Sequence, residues 1–348
     1  MQIEKLKKIL TENNQPKFRL KQIEKAIFRD SVFSFAEIST ISKELREILE
    51  KEMKILSFEA KKVLLAKDNL SAKVLLKLSD ENFIESVLMS SMLNKWSVCV
   101  STQVGCPISC AFCATGKSGF KRNLTSEEIS DQVLFWRQYL NKPHPSPLLT
   151  KERGQINNVV YMGMGEPFLN WENIAESLKI LTDKSLFGFG SRSISVSTVG
   201  IPEGIEKLAQ EFPQINLAIS LHFAADEKRN KFMPVNKKYN LAEINKSLRN
   251  YFSKTSRQVF IEYIMLAGIN DSEADAYALA SYLKSIGNRH LLHINLIKYN
   301  ESGGRFNASS GNKIQLFKKY LERGGFGVTI RKSIGQEIQG ACGQLAGK

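Results

Sequence analysis

Residues 105–113 read Gly105-Cys106-Pro107-Ile108-Ser109-Cys110-Ala111-Phe112-Cys113, a Cys-x₃-Cys-x₂-Cys spacing that governs how the rest of the chain is interpreted. The stretch holds three of the five cysteines of this 348-residue chain. Three thiolates can bind three irons of a four-iron cluster and leave the fourth iron open to a small ligand. Because strands and helices alternate after this stretch, it predicts an iron–sulfur enzyme on an α/β fold.

A zinc site or a redox pair is the alternative interpretation of the three cysteines. Zinc takes four ligands, usually as two separated pairs. The chain has only four histidines, and the nearest, His144, lies in a proline-containing segment. A Cys-x₂-Cys redox pair would leave Cys106 without a role. The spacing therefore favours the iron–sulfur interpretation.

Composition points to a polyanionic partner and a reducing compartment. Lys and Arg number 49 against 35 Asp and Glu, which gives a net charge of +14. Such an excess of basic residues attracts phosphate groups, although a generally basic proteome would also produce this positive net charge. The first residues lack the apolar core of a secretory signal, and no apolar run is long enough to span a membrane. Five cysteines, three of them clustered, suit a reduced metal site, so we predict a cytoplasmic protein without a membrane partner.

The N-terminal part of the chain has a helical, charged pattern. Apolar residues recur at three- and four-residue spacing in 21–28 and 41–49, so residues 1–62 are predicted to form a helical accessory domain with Lys and Arg on its solvated faces. Two strand-like runs follow at 72–78 and 83–89, joined by the polar turn 79–82. Residues 63–95 are therefore predicted to be a β-hairpin connector.

Strands and helices alternate through residues 96–348, the predicted core. Strands are expected at 98–102, 158–162, 193–197, 216–221, 259–265, 290–297 and 327–331. Helices are expected at 126–139, 171–182, 201–211, 241–252, 273–286 and 313–323. Repeated strand–helix units imply parallel pairing with right-handed crossovers. Six such units predict a partial (β/α)6 barrel, with a doubly wound open sheet as the alternative.

Residues 143–157 interrupt this alternation. Three prolines within 143–147 exclude a helix or a central strand there. We expect a surface loop, which a plain tolerated insertion explains.

Unusual residues fall where the predicted strands end, which is where barrel enzymes place their working groups. The three cysteines follow the first strand, and 163–167 follow the second. The others in this position are Ser197, Thr198, Ser220, Leu221, His222, Asn295 and Asn300. Their common location predicts one site at one rim of the barrel.

At this point the motifs match a known family. The cysteine triplet with its aromatic Phe112 resembles the signature of radical S-adenosylmethionine (SAM) enzymes. More of the chain resembles one branch, the RlmN/Cfr RNA methyltransferases, from residue 18 to the C-terminus. The matching stretches are 18–23, 99–106, 163–167, 233–239, 293–297 and 341–345. The triplet indicates only the superfamily, whereas the contexts of Cys99 and Cys342 indicate the branch.

The resemblance implies a role for each of these residues. Cys106, Cys110 and Cys113 would hold a 4Fe-4S cluster whose free iron binds SAM. Gly165 and Glu166 would meet the methionine end of SAM. The remaining SAM contacts implied are Ser197, Ser220, Leu221, His222 and Asn300.

Two outlying cysteines and one acid would carry the reaction. The resemblance implies that Cys342 becomes S-methylcysteine, that a radical derived from a second SAM activates this methyl group, and that the carbon adds to adenine. Cys99 would then release the product by forming a disulfide with Cys342, and Glu85 would accept a proton. The alternatives are two buried structural thiols and a solvated strand carboxylate.

The substrates implied are a peptidyl-transferase-centre adenosine of 23S rRNA and the adenosine 3′ of the anticodon in tRNA, each methylated at C-2. A Cfr-type reaction at C-8 is the alternative, although Pro167 and 233–239 look more like the C-2 branch. A non-catalytic iron–sulfur RNA-binding protein is the alternative from another class. Gly340, where Ala is usual in the family, and the 143–157 loop depart from the family pattern.

The predicted partners also follow from the resemblance and the charge. A flavodoxin- or ferredoxin-like protein would donate electrons, and we expect a monomer. The helical domain of residues 1–62 and basic pairs in four further segments are candidate RNA contacts. These segments are 120–122, 228–229, 237–238 and 331–332.

Overall fold

The computed structural model describes residues 1–92, 95–141, 155–303 and 305–347. Its helices are α1 Ile3–Glu12, α2 Phe18–Glu24, α3 Lys43–Glu52, α4 Ala114–Lys117, α5 Ser126–Asn141, α6 Trp171–Thr182, α7 Pro202–Glu211, α8 Asp226–Phe232, α9 Leu241–Lys254, α10 Glu273–Ile286 and α11 Gly311–Arg323. Its strands are β1 Phe58–Leu65, β2 Ser71–Leu78, β3 Phe83–Met92, β4 Lys95–Cys99, β5 Gln103–Gly105, β6 Phe120–Asn123, β7 Gln155–Tyr161, β8 Ile194–Thr198, β9 Asn216–Ser220, β10 Val259–Met265, β11 Leu292–Lys298 and β12 Gly327–Arg331. Most of the predicted 143–157 loop lies outside the described residues.

Parallel strands form the wall of the core in sequence order. The ten-stranded sheet runs β1-β2-β3-β4-β7-β8-β9-β10-β11-β12, and every neighbouring pair from β4 onward is parallel. A doubly wound sheet would reverse its order at a switch point, which this sheet does not do. The predicted partial barrel is therefore confirmed, and the open-sheet alternative is excluded.

Helices cover the outside of this wall because each presents one apolar stripe. Helix α6 buries Ile174 and Leu178, and α9 buries Ile244 and Leu248. An Asn240 capping box begins α9: its side chain accepts the N–H groups of the first turn. The carboxyl ends of the strands remain free to build a site.

The N-terminal helices form a small unit against the barrel. Their buried residues include Leu6, Ile23 and Leu49, each fully buried. Barrel helix α5 holds this unit through two side-chain bonds: Arg137 Nη1 donates to the Phe28 carbonyl at 2.7 Å, and Gln138 Nε2 donates to the Val32 carbonyl at 2.7 Å.

Three antiparallel strands connect the two parts. β2 and β3 form the predicted hairpin, and β1 adds a third strand that begins at Phe58, where the sequence pattern suggested helix. β3 then pairs antiparallel with β4, which puts Val87 opposite Cys99. The connector is thus continuous with the barrel sheet, while the domain boundaries at 62 and 95 remain a prediction. In the described ranges, no helix is both long and apolar enough to cross a membrane.

Candidate active site

The cysteine loop is shaped by backbone contacts that leave its sulfurs free. Gly105 has φ +76°, and a Cβ there would lie 1.8 Å from the Gly119 carbonyl oxygen, so only glycine fits. The Cys106 N–H donates to that same carbonyl at 2.9 Å, and the Cys113 N–H donates to the Cys110 carbonyl at 3.1 Å. The Ala111 N–H donates to the Phe232 carbonyl at the end of α8.

All three cysteine side chains line one cavity at the carboxyl ends of the strands. Burial raises the pKa of Cys106 to about 12 and that of Cys110 well above its usual value, and the neighbouring thiols add to both shifts. The thiols of Cys106 and Cys110 thus resist ionisation when nothing binds them. A metal centre that binds the cysteines as thiolates offsets the free-energy cost of ionising them.

The arrangement suits a cluster better than a single ion. Within the described residues, no three His, Cys, Asp or Glu side chains converge on a point that could hold one metal ion. Thiolates bound to separate irons of a cluster stand farther apart than ligands around one zinc. The zinc alternative is therefore disfavoured, and the three cysteines would hold an iron–sulfur cluster.

Glu166 stands across the cavity from the cysteines. It is 2% exposed; its Oε2 accepts the Val199 N–H at 2.8 Å, and its Oε1 accepts the Phe168 N–H at 3.1 Å. Burial nevertheless raises its pKa to about 7. Gly165, with φ +107°, lines the same cavity, where a Cβ would lie 2.7 Å from Thr102 Oγ1.

Two strand ends add polar groups to the same wall. Ser197 and Ser220 lie side by side with their Oγ atoms 3.1 Å apart, and both line the cavity. His222 also lines it; its Nδ1 accepts the Ile264 N–H at 3.2 Å, and burial lowers its pKa to about 3, so the imidazole is neutral. Leu221 is fully buried behind this wall, and its carbonyl accepts Arg229 Nε at 3.2 Å.

A second cavity adjoins the first, and Cys342 lines both. Cys99, Asn300 and Arg331 line the second cavity with it. Asn300 Nδ2 donates to the Cys342 carbonyl at 3.2 Å, which fixes the backbone at this thiol. The Cys342 thiol can therefore face both the cavity of the three clustered cysteines and the second cavity.

The two outlying thiols share one cation. Both are free. Burial raises the pKa of Cys99 to about 12, and the charge of Cys342 adds to this, whereas Arg331 lowers it. Cys342 is exposed at the cavity surface, yet the surrounding protein still raises its pKa, against the lowering effect of Arg331. Arg331 in turn is ion-paired with buried Glu262 at 3.2 Å.

The sequence interpretation missed Glu262 as part of this site. It is the one charged residue of the apolar strand Val259–Met265, and that isolation is the signal that could have revealed it. Its Oε1 accepts Asn295 Nδ2 at 2.8 Å, so the predicted rim residue Asn295 acts by orienting this acid.

Comparison with known proteins settles the family. The sequence profile of the Radical SAM superfamily matches residues 100–280, and that of the ribosomal RNA large subunit methyltransferase N-terminal domain matches residues 1–55. A ribosomal RNA large subunit methyltransferase Cfr of Clostridium botulinum is 40% identical over 98% of this chain and 96% of its own. The chain belongs to the RlmN/Cfr family of radical SAM RNA methyltransferases. Enzymes of the radical SAM superfamily use a 4Fe-4S cluster and SAM, which the cysteine cavity fits.

Further relatives agree with this RlmN/Cfr assignment. A probable dual-specificity RNA methyltransferase RlmN of Thermosipho melanesiensis is 40% identical over 94% of this chain and 92% of its own. The crystal structure of a radical SAM methyltransferase from Sphaerobacter thermophilus superposes with a TM-score of 0.91 at 34% identity, and covers all of this chain and 98% of that one. The similarity thus extends over both the N-terminal unit and the barrel.

Glu85, the predicted proton acceptor of this RlmN/Cfr enzyme, lies behind the cavities. Among the described residues that line the two cavities, Glu85 is not present. It is 1% exposed and ion-paired with Lys73 at 2.7 Å. Its Oε2 accepts the N–H groups of Ala346 and Gly347 at 2.7 and 3.1 Å.

The candidate RNA contacts divide into exposed and buried residues. Phe120, Lys237, Lys238 and Lys332 are exposed, as contact with RNA requires. Arg229 is fully buried and donates to four oxygens of the protein, so its assignment as an RNA contact is wrong. It instead binds together the loops behind the wall of the cysteine cavity.

Proposed function

We propose that this enzyme methylates C-2 of adenine in RNA, with Cys342 as the carrier of the methyl group and Cys99 as the resolving thiol. The observation that carries the proposal is the shared position of Cys342, which lines the cluster cavity and the cavity of Cys99. A purely structural thiol would have no reason to stand exposed where two cavities meet. Cys106, Cys110 and Cys113 would hold the cluster.

The SAM wall follows the same proposal. Gly165, Glu166, Ser197, Ser220 and His222 face the cysteines across one cavity, so they would contact SAM directly. Leu221 would contribute through its backbone, because its side chain is buried. Asn300 would act by holding Cys342.

The protein's own groups would carry the one-carbon unit. When bound, the cluster and SAM supply the methyl group and the radical that activates it. Arg331, near both thiols, favours the Cys342 thiolate, which displaces the methyl group from its donor and forms a carbon–sulfur bond. The carbon then bonds to C-2 of adenine while it remains on this sulfur.

Cys99 would complete the reaction. Its thiolate attacks the Cys342 sulfur, and a disulfide joins the two cysteines as the sulfur–carbon bond breaks with its electron pair on carbon. Adenine loses the proton of C-2, and the released carbon takes up a proton to become the methyl group. The position of both thiols in the lining of one cavity supports this step. Hydrolysis of the bond between the Cys342 sulfur and the carbon would release the product without a second thiol.

The C-2 position is supported by Pro167 and the 233–239 segment, because both resemble the C-2 branch of the family. Pro167 starts the 3₁₀ turn that Glu166 caps, and Asn236 holds buried Arg229 at 2.6 Å, so both belong to the scaffold of the SAM wall. A Cfr-type reaction at C-8 is the second candidate, because relatives named Cfr are as similar to this chain as those named RlmN.

The substrates and partners we propose are 23S rRNA, tRNA and a flavodoxin- or ferredoxin-like electron donor. The name of the Thermosipho relative, a probable dual-specificity RNA methyltransferase, supports two RNA classes. The net charge of +14 suits such polyanions. We also propose a monomer that works in the cytoplasm.

Mass spectrometry of digested RNA tests the proposal. Anaerobically reconstituted enzyme, SAM, reductant and either 23S rRNA or tRNA should yield 2-methyladenosine. Detection of 8-methyladenosine would select the C-8 reaction instead. Iron and sulfide in a protein that never methylates RNA would indicate the non-catalytic alternative, and methylation by a Cys342→Ala variant would refute the carrier role.

A further inference from the structure

The segment that carries Cys342 is a strap across the site. We call residues 335–347 the C-terminal strap. Its start is tied to the β1–β2 turn, where Glu337 accepts the Lys67 N–H. Its end is tied to β3, where Glu85 Oε2 accepts the N–H groups of Ala346 and Gly347. The antiparallel strands thus hold the strap at both ends.

The middle of the strap is tied to the other side of the site. The Ala114 N–H, next to Cys113, donates to the Gly343 carbonyl at 2.8 Å. Thr115 Oγ1 donates to the Leu345 carbonyl at 2.6 Å. These bonds place Cys342 beside the cluster loop, but they do not fix the end of the strap beyond Leu345.

The Lys73–Glu85 pair is built to fix that end. Lys73 lies opposite Val87 across β2 and β3, so it is the diagonal neighbour of Glu85 on the same face of the sheet. Both side chains are buried, at 9% and 2% exposure, and their charged atoms are 2.7 Å apart. One carboxylate oxygen faces Lys73 and the other faces the two strap amides, so both oxygens are occupied.

A buried ion pair is costly unless it satisfies further groups, and an apolar pair would fit this sheet equally well. Here the further groups are the backbone N–H groups of Ala346 and Gly347, whose acceptor among the described residues is Glu85. We infer that Lys73 and Glu85 form a positioning pair that anchors the C-terminal strap and so places the Cys342 thiol between the two cavities. This inference rests on the proposed role of Cys342.

The competing role for Glu85 is the proton acceptor of the reaction. A general base must reach the proton it removes, directly or through one water. Glu85 instead lines neither cavity, and it has Lys73 on one oxygen and backbone amides on the other. The contacts therefore favour positioning over proton transfer, and the two roles predict different products from the variants below.

Two variants separate these roles. Glu85→Ala removes the acceptor of both amides. The double variant Lys73→Met with Glu85→Gln keeps one oxygen for the amides, removes both charges together, and leaves no group that can accept a proton. Lys77→Met with Glu81→Gln is the matched control, because it removes an exposed ion pair from the same hairpin.

Hydrogen exchange of the C-terminal peptide is the first measurement, made on the reconstituted full chain. In Glu85→Ala the amides of Ala346 and Gly347 should exchange roughly 10- to 100-fold faster, the factor expected when a hydrogen bond to a charged acceptor is lost. The control should exchange like the unmodified enzyme. Unchanged protection in Glu85→Ala would overturn the inference.

Methylation of Cys342 and of RNA is the second measurement. Glu85→Ala should lower both, because a loose strap misplaces the thiol for either step. The double variant should restore both methylation steps to within about fivefold of the unmodified enzyme, because the strap amides keep an acceptor. If Glu85 were the general base, the same variant would instead lose roughly 10²- to 10⁴-fold in rate. A double variant that keeps its strap protected yet accumulates a covalent Cys342–RNA adduct would show that Glu85 is the base, and would overturn the inference.

Two checks keep the outcome interpretable. Iron content, the reduced-cluster electron paramagnetic resonance spectrum and the melting temperature establish that each variant folds and binds its cluster. Both variants that change Glu85 could lose the exchange protection of the strap amides and the methylation of Cys342 in parallel. The charges of Lys73 and Glu85 would then be needed to anchor the strap, and the positioning role would stand. RNA methylation by Cys342→Ala would refute the proposed function whatever the strap does, so the two failures are distinct.

Discussion

The proposed contact between Glu166 and SAM predicts that SAM binding depends on pH, with a direction and size that follow from the burial of this carboxyl group. Its carboxyl group is buried in the cavity wall, and burial raises its pKa to about 7 despite two backbone N–H donors. The free site is therefore a mixture of protonated and ionised forms near neutral pH. Only the ionised form attracts the amino group of SAM electrostatically.

The magnitude follows from the fraction ionised. With a pKa of about 7, roughly one carboxyl in ten is ionised at pH 6 and roughly nine in ten at pH 8. Because the pKa is raised, acidification protonates Glu166 and weakens binding. The affinity contributed by Glu166 should therefore rise about tenfold from pH 6 to pH 8 and level off above that.

Equilibrium binding of SAM to the oxidised, cluster-loaded enzyme measures this effect. SAM has titratable groups of its own, so the useful quantity is the affinity ratio of unmodified enzyme to Glu166→Gln at each pH. Groups common to both proteins cancel in this ratio. A rise of about tenfold between pH 6 and pH 8 is expected.

A flat ratio would refute the reasoning. It would mean either that the carboxyl group is ionised throughout this range or that it does not contact SAM. Proton release tests the same reasoning independently: calorimetry at pH 6 in buffers of different ionisation enthalpy should show uptake by the buffer for the unmodified enzyme and less for Glu166→Gln. Equal proton release by both would exclude Glu166 as the titrating group.

Three further predictions concern the cysteines and their loop. Gly105→Ala should lower the free energy of unfolding by about 3 kcal/mol, because the alanine Cβ would overlap the Gly119 carbonyl oxygen. Thermal denaturation measures this loss, and Gly119→Ala is the control because its added Cβ meets open space. Cys110→Ala should abolish the iron–sulfur absorbance while the far-ultraviolet circular dichroism is retained; a retained cluster would exclude this thiol as a ligand. Cys99→Ser should leave methylation of Cys342 intact and trap a protein–RNA adduct, seen as a shifted band on a denaturing gel; normal turnover would exclude its resolving role.

Local pattern predicted the barrel well, for a physical reason. Helix 171–182 and strands 259–265 and 327–331 have the predicted bounds. The helix buries one periodic apolar face, and strand 259–265 is a short apolar run buried at nearly every position, so both patterns are visible in the local sequence. The strand-end rule likewise predicted Glu166, Ser197, Ser220 and His222 on one rim, since parallel strands bring their carboxyl ends together.

Elements that depend on distant partners were not predictable from local pattern. Strand β1 presents mostly exposed residues, four of them in a row after Phe58, so its alternation is weak and pairing with β2 alone defines it. Strands β5 and β6 are three and four residues long and exist only as each other's partner. The basic pair 228–229 looked like solvated surface, whereas Arg229 is buried by loops that lie up to 30 residues away.

The same dependence on distant contacts explains why the accessory strands belong to the active site. A reactive thiol on a terminal segment has no strand or helix of its own to fix it, so other elements must supply its hydrogen bonds. The bonds from Ala346 and Gly347 to Glu85 join residues 261 and 262 positions apart in the chain. Closing so long a loop carries an entropic cost that the buried Lys73–Glu85 pair and its two amide bonds must offset. An enzyme of this kind therefore requires β2 and β3 for its chemistry as well as for its stability.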